Sequence, residues 1–144
     1  MIPSSTQPDP LTQKVIGEAM HVHRVLGPGF LESIYHNALL IRLKKSDLQV
    51  ESHKPLPVYF EGEVIGEFQT DLIVEYRLIL ELKAVSALNS AHEVQLVNYL
   101  TATQIETGLL LNFGAKSLEL KRKSRTLNST PLPALAELVG SPSC

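Results

Sequence analysis

The segment Asp71-Leu-Ile-Val-Glu-Tyr-Arg-Leu-Ile-Leu-Glu-Leu-Lys-Ala-Val85 is the most informative part of this chain about its fold. Apolar residues dominate it on both sides of Tyr76 and Arg77, which is typical of two strands joined by a short turn. Because strands that are covered on both faces read as nearly continuous apolar runs, we predict a central hairpin of strands 68–75 and 78–84. Charged side chains in such strands cost free energy unless they are paired or bind a metal.

The charged residues of this hairpin are expected to share one face of the sheet. Since side chains alternate along a strand, Glu81 and Lys83 point the same way. We expect Leu72 to pair with Leu82, which places Asp71 opposite Lys83 and on the face that carries Glu81. The expected connection is a three-residue turn or a bulge, because a strict two-residue turn would set Leu72 against Glu81.

Three ionisable side chains on one face of an apolar sheet suit a metal-dependent reaction. In the expected register Asp71 and Glu81 are diagonal neighbours, with Cα atoms roughly 7–8 Å apart. Carboxylates at that spacing can share Mg²⁺ or Mn²⁺. The ammonium of Lys83 would then hold an attacking water or offset the charge that builds on a phosphate. This set suits phosphodiester hydrolysis, although Glu-Leu-Lys alone is more often a surface ion pair.

The remaining elements predict an α/β domain with a mixed sheet. The predicted domain covers 10–125, and the Pro- and Ser-containing segments 1–9 and 126–144 are expected to be loosely ordered tails. The signals are a helix capped by Asp9-Pro10 and ended by Gly27-Pro28-Gly29, a second helix over about 30–45, a hairpin around Glu61-Gly62-Glu63, a third helix opened by the capping box Ser90-Ala-His-Glu93, a buried strand at Leu109-Leu-Leu111 and a strand over 117–123.

Composition excludes several classes of protein. The 144 residues are 44% hydrophobic with a formal net charge of −2, so the chain is neither disordered nor a histone-like polycation. The single cysteine, Cys144, rules out a disulfide framework and a cysteine zinc site. No apolar stretch is long enough for a membrane span, and the first residues lack the features of a signal peptide. We therefore expect a cytoplasmic protein without membrane contact.

Basic residues concentrate near the end of the predicted domain. Lys121, Arg122, Lys123 and Arg125 are candidates for holding phosphates of a nucleic acid that flank the reacting one. The alternative is an ordinary solvated strand end.

Several motifs together resemble a known family. Gly29-Phe-Leu-Glu-Ser-Ile-Tyr35 matches the pattern that names the GxxExxY protein family, and Asp71, Glu81-Leu-Lys83 and Gln95-Leu-Val-Asn-Tyr99-Leu follow in that family's order. The family resembles the PD-(D/E)XK nuclease superfamily, which has the restriction-endonuclease-like fold. The resemblance covers about residues 11–123 and implies an α-β-β-β-α-β core with a mixed central sheet flanked by helices.

The resemblance also implies roles for individual residues. Asp71 and Glu81 would be metal ligands, Lys83 the catalytic lysine, Glu32 a helix-borne acid of the site and Gln95 a polar residue from the next helix. Thr70 stands where the superfamily's name has proline.

Each of the helical residues also has a structural alternative. Glu32 could instead be a helix N-terminal acid stabilised by the dipole. Gln95 could cap a strand's backbone, and for Tyr35 and Tyr99 core packing with a hydroxyl partner is preferred. His36 and His53 are scattered in the sequence and suggest no site.

Two functions are consistent with these observations. The first is an Mg²⁺-dependent (or Mn²⁺-dependent) nuclease, with DNA as the favoured substrate. The second is a non-catalytic module on the same fold that binds nucleic acid or protein, because the superfamily includes such members. A homodimer is compatible with either function.

Overall fold

The computed structural model describes residues 9–125, and this range contains three helices and seven strands. Of the two predicted tails, only Asp9 falls inside the range, and the rest lie outside the described residues. In chain order the elements are α1 (Pro10–Leu26), α2 (Glu32–Lys45), β1 (Val50–Ser52), β2 (Pro55–Phe60), β3 (Glu63–Gln69), β4 (Leu72–Val74), β5 (Leu78–Lys83), α3 (Ser90–Thr103), β6 (Thr107–Asn112) and β7 (Glu119–Ser124).

Helix α1 begins and ends where the sequence predicts. The Asp9 carboxylate accepts hydrogen bonds from the backbone N–H of Leu11 at 2.8 Å and from the Thr12 hydroxyl at 2.7 Å. At the other end the N–H of Gly27 donates to the carbonyl of His23 at 2.8 Å, with Gly27 at φ 68°. An Asp cap and a positive-φ glycine satisfy helix ends that would otherwise leave polar groups unpaired.

A five-stranded mixed sheet forms the centre of the molecule. Its strand order is β1-β4-β5-β6-β7, with β5 and β6 parallel and the other neighbours antiparallel. Helix α3 supplies the crossover that a parallel pair requires. The order α2, β1, β4, β5, α3, β6 confirms the predicted α-β-β-β-α-β core, and β2 and β3 form a separate hairpin.

The sheet separates two apolar cores. On one face, leucines such as Leu72, Leu80 and Leu82 pack with α1 and α2. On the other face, Ile73 and Ile79 pack with α3. Because side chains alternate along a strand, Glu81 belongs to the α3 face together with Ile79.

The register of the central hairpin differs from the predicted one. Leu72 pairs with Leu80 rather than Leu82, and the three-residue connection runs from Glu75 to Arg77. The backbone N–H of Glu75 donates to the Gln49 carbonyl at 2.7 Å, and its carboxylate accepts from the Gln49 N–H at 2.6 Å. These bonds to the residue before β1 keep Glu75 in the turn. The pairing of β4 with β5 therefore ends at Val74, one residue before the predicted end of the strand. Because the shift is two positions, each side chain stays on the predicted face of the sheet. The residue opposite Asp71 is Glu81, however, and not Lys83.

The predicted strand 68–75 is two strands in the structure. Gln69 pairs with Pro55 in the β2–β3 hairpin, whereas Leu72 pairs with Ser52 and Leu80 in the central sheet. The chain therefore changes partners at Thr70 and Asp71, immediately before β4.

The predicted capping box of α3 is also displaced by one residue. Asn89, not Ser90, is the cap: its side chain accepts from the backbone N–H of His92, and His92 Nδ1 accepts from the Asn89 N–H, both at 3.2 Å. The Glu93 carboxylate instead lies 2.5 Å from the Lys123 ammonium, so it is drawn to β7 and away from the helix start. Within residues 9–125 no helix is long and apolar enough to cross a membrane.

Candidate active site

Asp71 and Glu81 meet at one end of the two central strands. Asp71 precedes β4, and its Oδ2 accepts a hydrogen bond from the backbone N–H of Leu82 in β5 at 2.7 Å. Glu81 is only 6% exposed, and its Oε2 is buried without a hydrogen-bond partner among the described residues. A buried carboxylate oxygen without a partner is rare in proteins and calls for a functional explanation.

The surroundings of Glu81 disfavour its ionised form. Burial, followed by the negative charge of Asp71, raises the pKa of Glu81 to about 8, while the nearby Lys83 ammonium acts in the opposite direction. Without a cation at the site Glu81 is therefore mostly protonated at neutral pH. Burial and a second carboxylate are typical of sites that are completed by a positive charge.

Glu32 joins this group from the first turn of α2. Partial burial and the charge of Asp71 raise the pKa of Glu32, and Lys83 and His36 oppose that change. The helix N-terminus therefore brings a third acid within electrostatic range of Asp71 and Lys83. The dipole explanation for Glu32 does not account for this proximity.

Gln95 reaches the same region through Tyr99. A side-chain hydrogen bond from Gln95 to the Tyr99 hydroxyl favours the phenolate, but burial and the charges of Glu81 and Asp71 give Tyr99 a raised pKa overall. The Tyr99 ring stacks on Phe68 of β3 with centroids 4.2 Å apart. Gln95 itself is exposed, so it borders the acids from the solvent side.

Tyr35 of the GxxExxY-like motif has a structural role. Its hydroxyl donates to the Gly27 carbonyl at 2.5 Å and accepts from the Phe30 N–H at 3.1 Å. Its ring stacks on Phe113 at 4.8 Å. Tyr35 therefore fixes the loop between α1 and α2, and through that loop the position of Glu32.

Asn112, a further buried polar residue at the end of β6, was not predicted from the sequence. Its side chain accepts from the Val85 N–H at 2.9 Å, donates to the Val85 carbonyl at 2.8 Å and donates to Glu119 at 2.7 Å. Gly114 packs so closely that a Cβ there would lie 2.4 Å from the Val85 carbonyl oxygen. These contacts fix the backbone that leaves the site directly after Lys83.

The histidines His36 and His53, scattered in the sequence, are brought together beside Asp71. Their rings stack with centroids 4.4 Å apart, and His36 Nε2 lies 3.1 Å from the Asp71 carbonyl oxygen. The only signal in the sequence is that His36 follows Glu32 by one helical turn.

The four basic candidates on and after β7 do not form one patch. The Lys123 ammonium lies 2.5 Å from Glu93, and the Arg125 guanidinium lies 2.7 Å from Glu106. Lys121 pairs across from Leu110 and Arg122 from Leu109, so their side chains point to opposite faces. A role for these residues in binding phosphates remains a prediction.

The acids fit a small divalent cation that keeps several waters. Across residues 9–125 no group of three or more His, Cys, Asp or Glu is arranged to hold a metal ion, so an all-protein cage is not the arrangement here. Mg²⁺ is commonly held by one or two carboxylates, with water and substrate phosphate as the other ligands. Asp71 and Glu81, with the partnerless Oε2, match that pattern.

Comparisons with known proteins support the fold described above. A family model described as the PD-(D/E)XK nuclease superfamily matches residues 9–123. A crystal structure of SSO0001 is similar in fold, with a TM-score of 0.56 and 20% identity over 77% of this chain, which spans 58% of that chain. A comparison with curated proteins gave no match. Because the family model covers most of its length, the chain belongs to the PD-(D/E)XK nuclease superfamily.

Proposed function

We propose that this protein is an Mg²⁺-dependent nuclease that hydrolyses phosphodiester bonds, with DNA as the favoured substrate. The observation that carries the proposal is Glu81: a carboxylate buried in the central sheet, with a partnerless oxygen and a raised pKa, beside Asp71. A purely structural glutamate at this depth would be paired or replaced by an apolar residue. Membership in a nuclease superfamily supports the same chemistry.

In this proposal Asp71 and Glu81 hold the metal. When bound, Mg²⁺ would supply a Lewis acid and a water of lowered pKa. Asp71 is oriented for the task because the Leu82 N–H fixes one carboxylate oxygen, Oδ2. Glu81 loses its proton when the cation binds, since ligand carboxylates must be ionised.

The remaining residues act on the water and the phosphate. The Lys83 ammonium lies within electrostatic range of Glu32 and Glu81, where it offsets negative charge as the water oxygen bonds to phosphorus and the P–O bond to the leaving alcohol breaks. Glu32 of α2 and Gln95 of α3 orient the attacking water and the nucleic-acid strand. Lys121 is exposed and lies on the sheet face that carries Glu81, since both pair with Leu110, so it contacts a flanking phosphate. A second copy of the chain would allow both strands of a duplex to be cut.

The direct test is cleavage of labelled single- and double-stranded DNA and RNA in Mg²⁺, Mn²⁺ or EDTA. We expect metal-dependent cleavage that falls by about 10²-fold or more in Lys83→Ala and Glu81→Ala, because the first removes the ammonium beside the reacting phosphate and the second removes a metal ligand. Lys44→Ala, on an exposed residue in the last turn of α2, is the matched control and should retain full activity. Absence of cleavage of every substrate, or full activity in Glu81→Ala, would reject the proposal.

A second candidate is a non-catalytic module that binds nucleic acid or protein. The ion pairs that Lys123 and Arg125 form with Glu93 and Glu106 favour a protein-binding form of this module, because they reduce the positive charge available to a phosphate backbone. Thermal melting distinguishes the two candidates. A filled metal site raises the melting temperature by mass action, so an unchanged melting temperature at millimolar Mn²⁺ would favour the second.

A further inference from the structure

We propose that His36 is a positioning residue of this site, which locks Asp71 to the helix that carries Glu32. The inference rests on the proposed function, since it assigns to His36 a part in orienting the acids of that site. It stands on the contacts that His36, within α2, makes with Ser52 at the end of β1 and with Asp71 just before β4.

The imidazole of His36 is buried and aimed at backbone. Its Nε2 lies 3.1 Å from the Asp71 carbonyl oxygen and 3.1 Å from the Ser52 hydroxyl oxygen, and only 5% of the residue is exposed. A carbonyl oxygen can only accept, so Nε2 carries the hydrogen in this contact. The same carbonyl also accepts from the backbone N–H of His53 at 3.0 Å.

His53 fixes the orientation of the His36 ring. The two imidazoles are nearly parallel, with an interplanar angle of 7° and centroids 4.4 Å apart. His53 has a backbone φ of 53°, a left-handed conformation that few residues other than glycine adopt. That conformation places the His53 ring on His36 and its N–H on the Asp71 carbonyl.

Asp71 is therefore held at both of its ends. The two histidines hold its carbonyl, and the Leu82 N–H holds its carboxylate. Because His36 follows Glu32 by one helical turn, its contact also sets the distance between α2 and the start of β4. One side chain thus positions two of the three acids.

The fold alone does not require an imidazole here. The Asp71 carbonyl already has a partner in the His53 N–H, so the His36 bond is not needed to avoid an unsatisfied buried group. An apolar ring would fill the same space and stack on His53. What the imidazole adds is a directed N–H that restrains Asp71.

Three variants separate positioning from packing. His36→Phe keeps a ring against His53 and removes the N–H, whereas His36→Gln restores an N–H near the position of Nε2. The matched control is His23→Phe: His23 Nε2 likewise lies 3.0 Å from a backbone carbonyl, that of Ala115, and its ring is near Phe113. Each variant is measured for kcat and KM in Mg²⁺, for melting temperature and for amide hydrogen exchange.

We expect His36→Phe to lower kcat about tenfold or more with KM changed less than about threefold. Exchange of the Leu82 amide, whose acceptor is the Asp71 carboxylate, should become about tenfold faster. His36→Gln should restore both quantities to within about threefold of the wild type. His23→Phe should leave kcat and the exchange rate of the Leu82 amide unchanged, even if it lowers the melting temperature as much as His36→Phe does.

The exchange measurement needs neither metal nor substrate. Wild-type protein that cleaves nothing would therefore reject the proposed function, while the Leu82 amide would still decide whether His36 positions Asp71. Unchanged Leu82 exchange in His36→Phe, or no difference between the Phe and Gln variants, would overturn the inference.

Discussion

Replacing Glu81 by glutamine should stabilise the metal-free protein at alkaline pH. Glutamine has nearly the same shape as glutamate but cannot ionise, so the variant removes the cost of placing a negative charge in a buried site beside Asp71. The effect must depend on pH, because wild-type Glu81 carries no charge when it is protonated.

The magnitude follows from the raised pKa. Burial and Asp71 raise the pKa of Glu81 to about 8 from an ordinary 4.5, and each pH unit of difference corresponds to about 1.4 kcal/mol. Below pH 4.5 the carboxyl is protonated in both the folded and the unfolded chain and has no such effect. Between pH 4.5 and 8 only the unfolded chain ionises, so wild-type stability falls by up to about 5 kcal/mol and then levels off.

The expected comparison allows for the new amide. Glutamine brings an extra N–H donor into a buried position, at a cost of about 1–2 kcal/mol. We therefore expect Glu81→Gln to be close to the wild type, or slightly less stable, at pH 5 and more stable by about 3 kcal/mol at pH 8.5. For a chain of this size that corresponds to a melting temperature about 10 °C higher at pH 8.5.

The assay is thermal melting in EDTA at several pH values between 5 and 8.5. Glu67→Gln is the control, because Glu67 is an exposed glutamate of β3 and its substitution should leave the melting temperature unchanged at each pH. A melting-temperature difference between Glu81→Gln and the wild type that stays constant from pH 5 to 8.5 would show that ionisation of Glu81 does not destabilise the fold.

Three further outcomes are expected from the raised pKa of Glu81 and from the contacts of Asn112 and Asp9. Binding of Mn²⁺ at pH 7 should release about 0.9 proton from Glu81, which calorimetry in two buffers of different ionisation enthalpy measures. Asn112→Ala should destabilise the fold by about 3 kcal/mol in urea unfolding, because it leaves both backbone groups of Val85 unpaired. Its control, Asn98→Ala on an exposed residue, should cost less than about 0.5 kcal/mol. Asp9→Ala should cost about 1 kcal/mol through loss of the α1 cap, and an unchanged urea midpoint would contradict that role.

Local patterns were sufficient to predict most of the fold. The cap at Asp9, the glycine stop at Gly27 and the apolar run around Glu81 each act over a few residues, and each leads to the element that the structure contains. The exact pairing of β4 with β5 was not predictable in the same way. It depends on the two hydrogen bonds between Glu75 and Gln49, residues far apart in the sequence.

The same distinction applies to the candidate site. The face shared by Asp71 and Glu81 follows from the period of a strand, and a register error of two positions leaves it intact. The stacking of His36 on His53 depends on how α2 packs beside β1. The pairing of Lys123 with Glu93 depends on where α3 crosses β7. The periodic patterns of a sequence do not predict contacts between residues so far apart.

The short connection between β4 and β5 has a consequence for the order of assembly. Asp71 and Glu81 are ten positions apart in the sequence, so this antiparallel pair closes a small loop and can form early, while Glu81 is still hydrated. The parallel contact of β5 with β6 must wait for α3 to complete its crossover. We therefore expect the free-energy cost of dehydrating Glu81 to arise late, after the folding barrier, so that a cation bound at these carboxylates would act mainly by slowing unfolding rather than by accelerating folding.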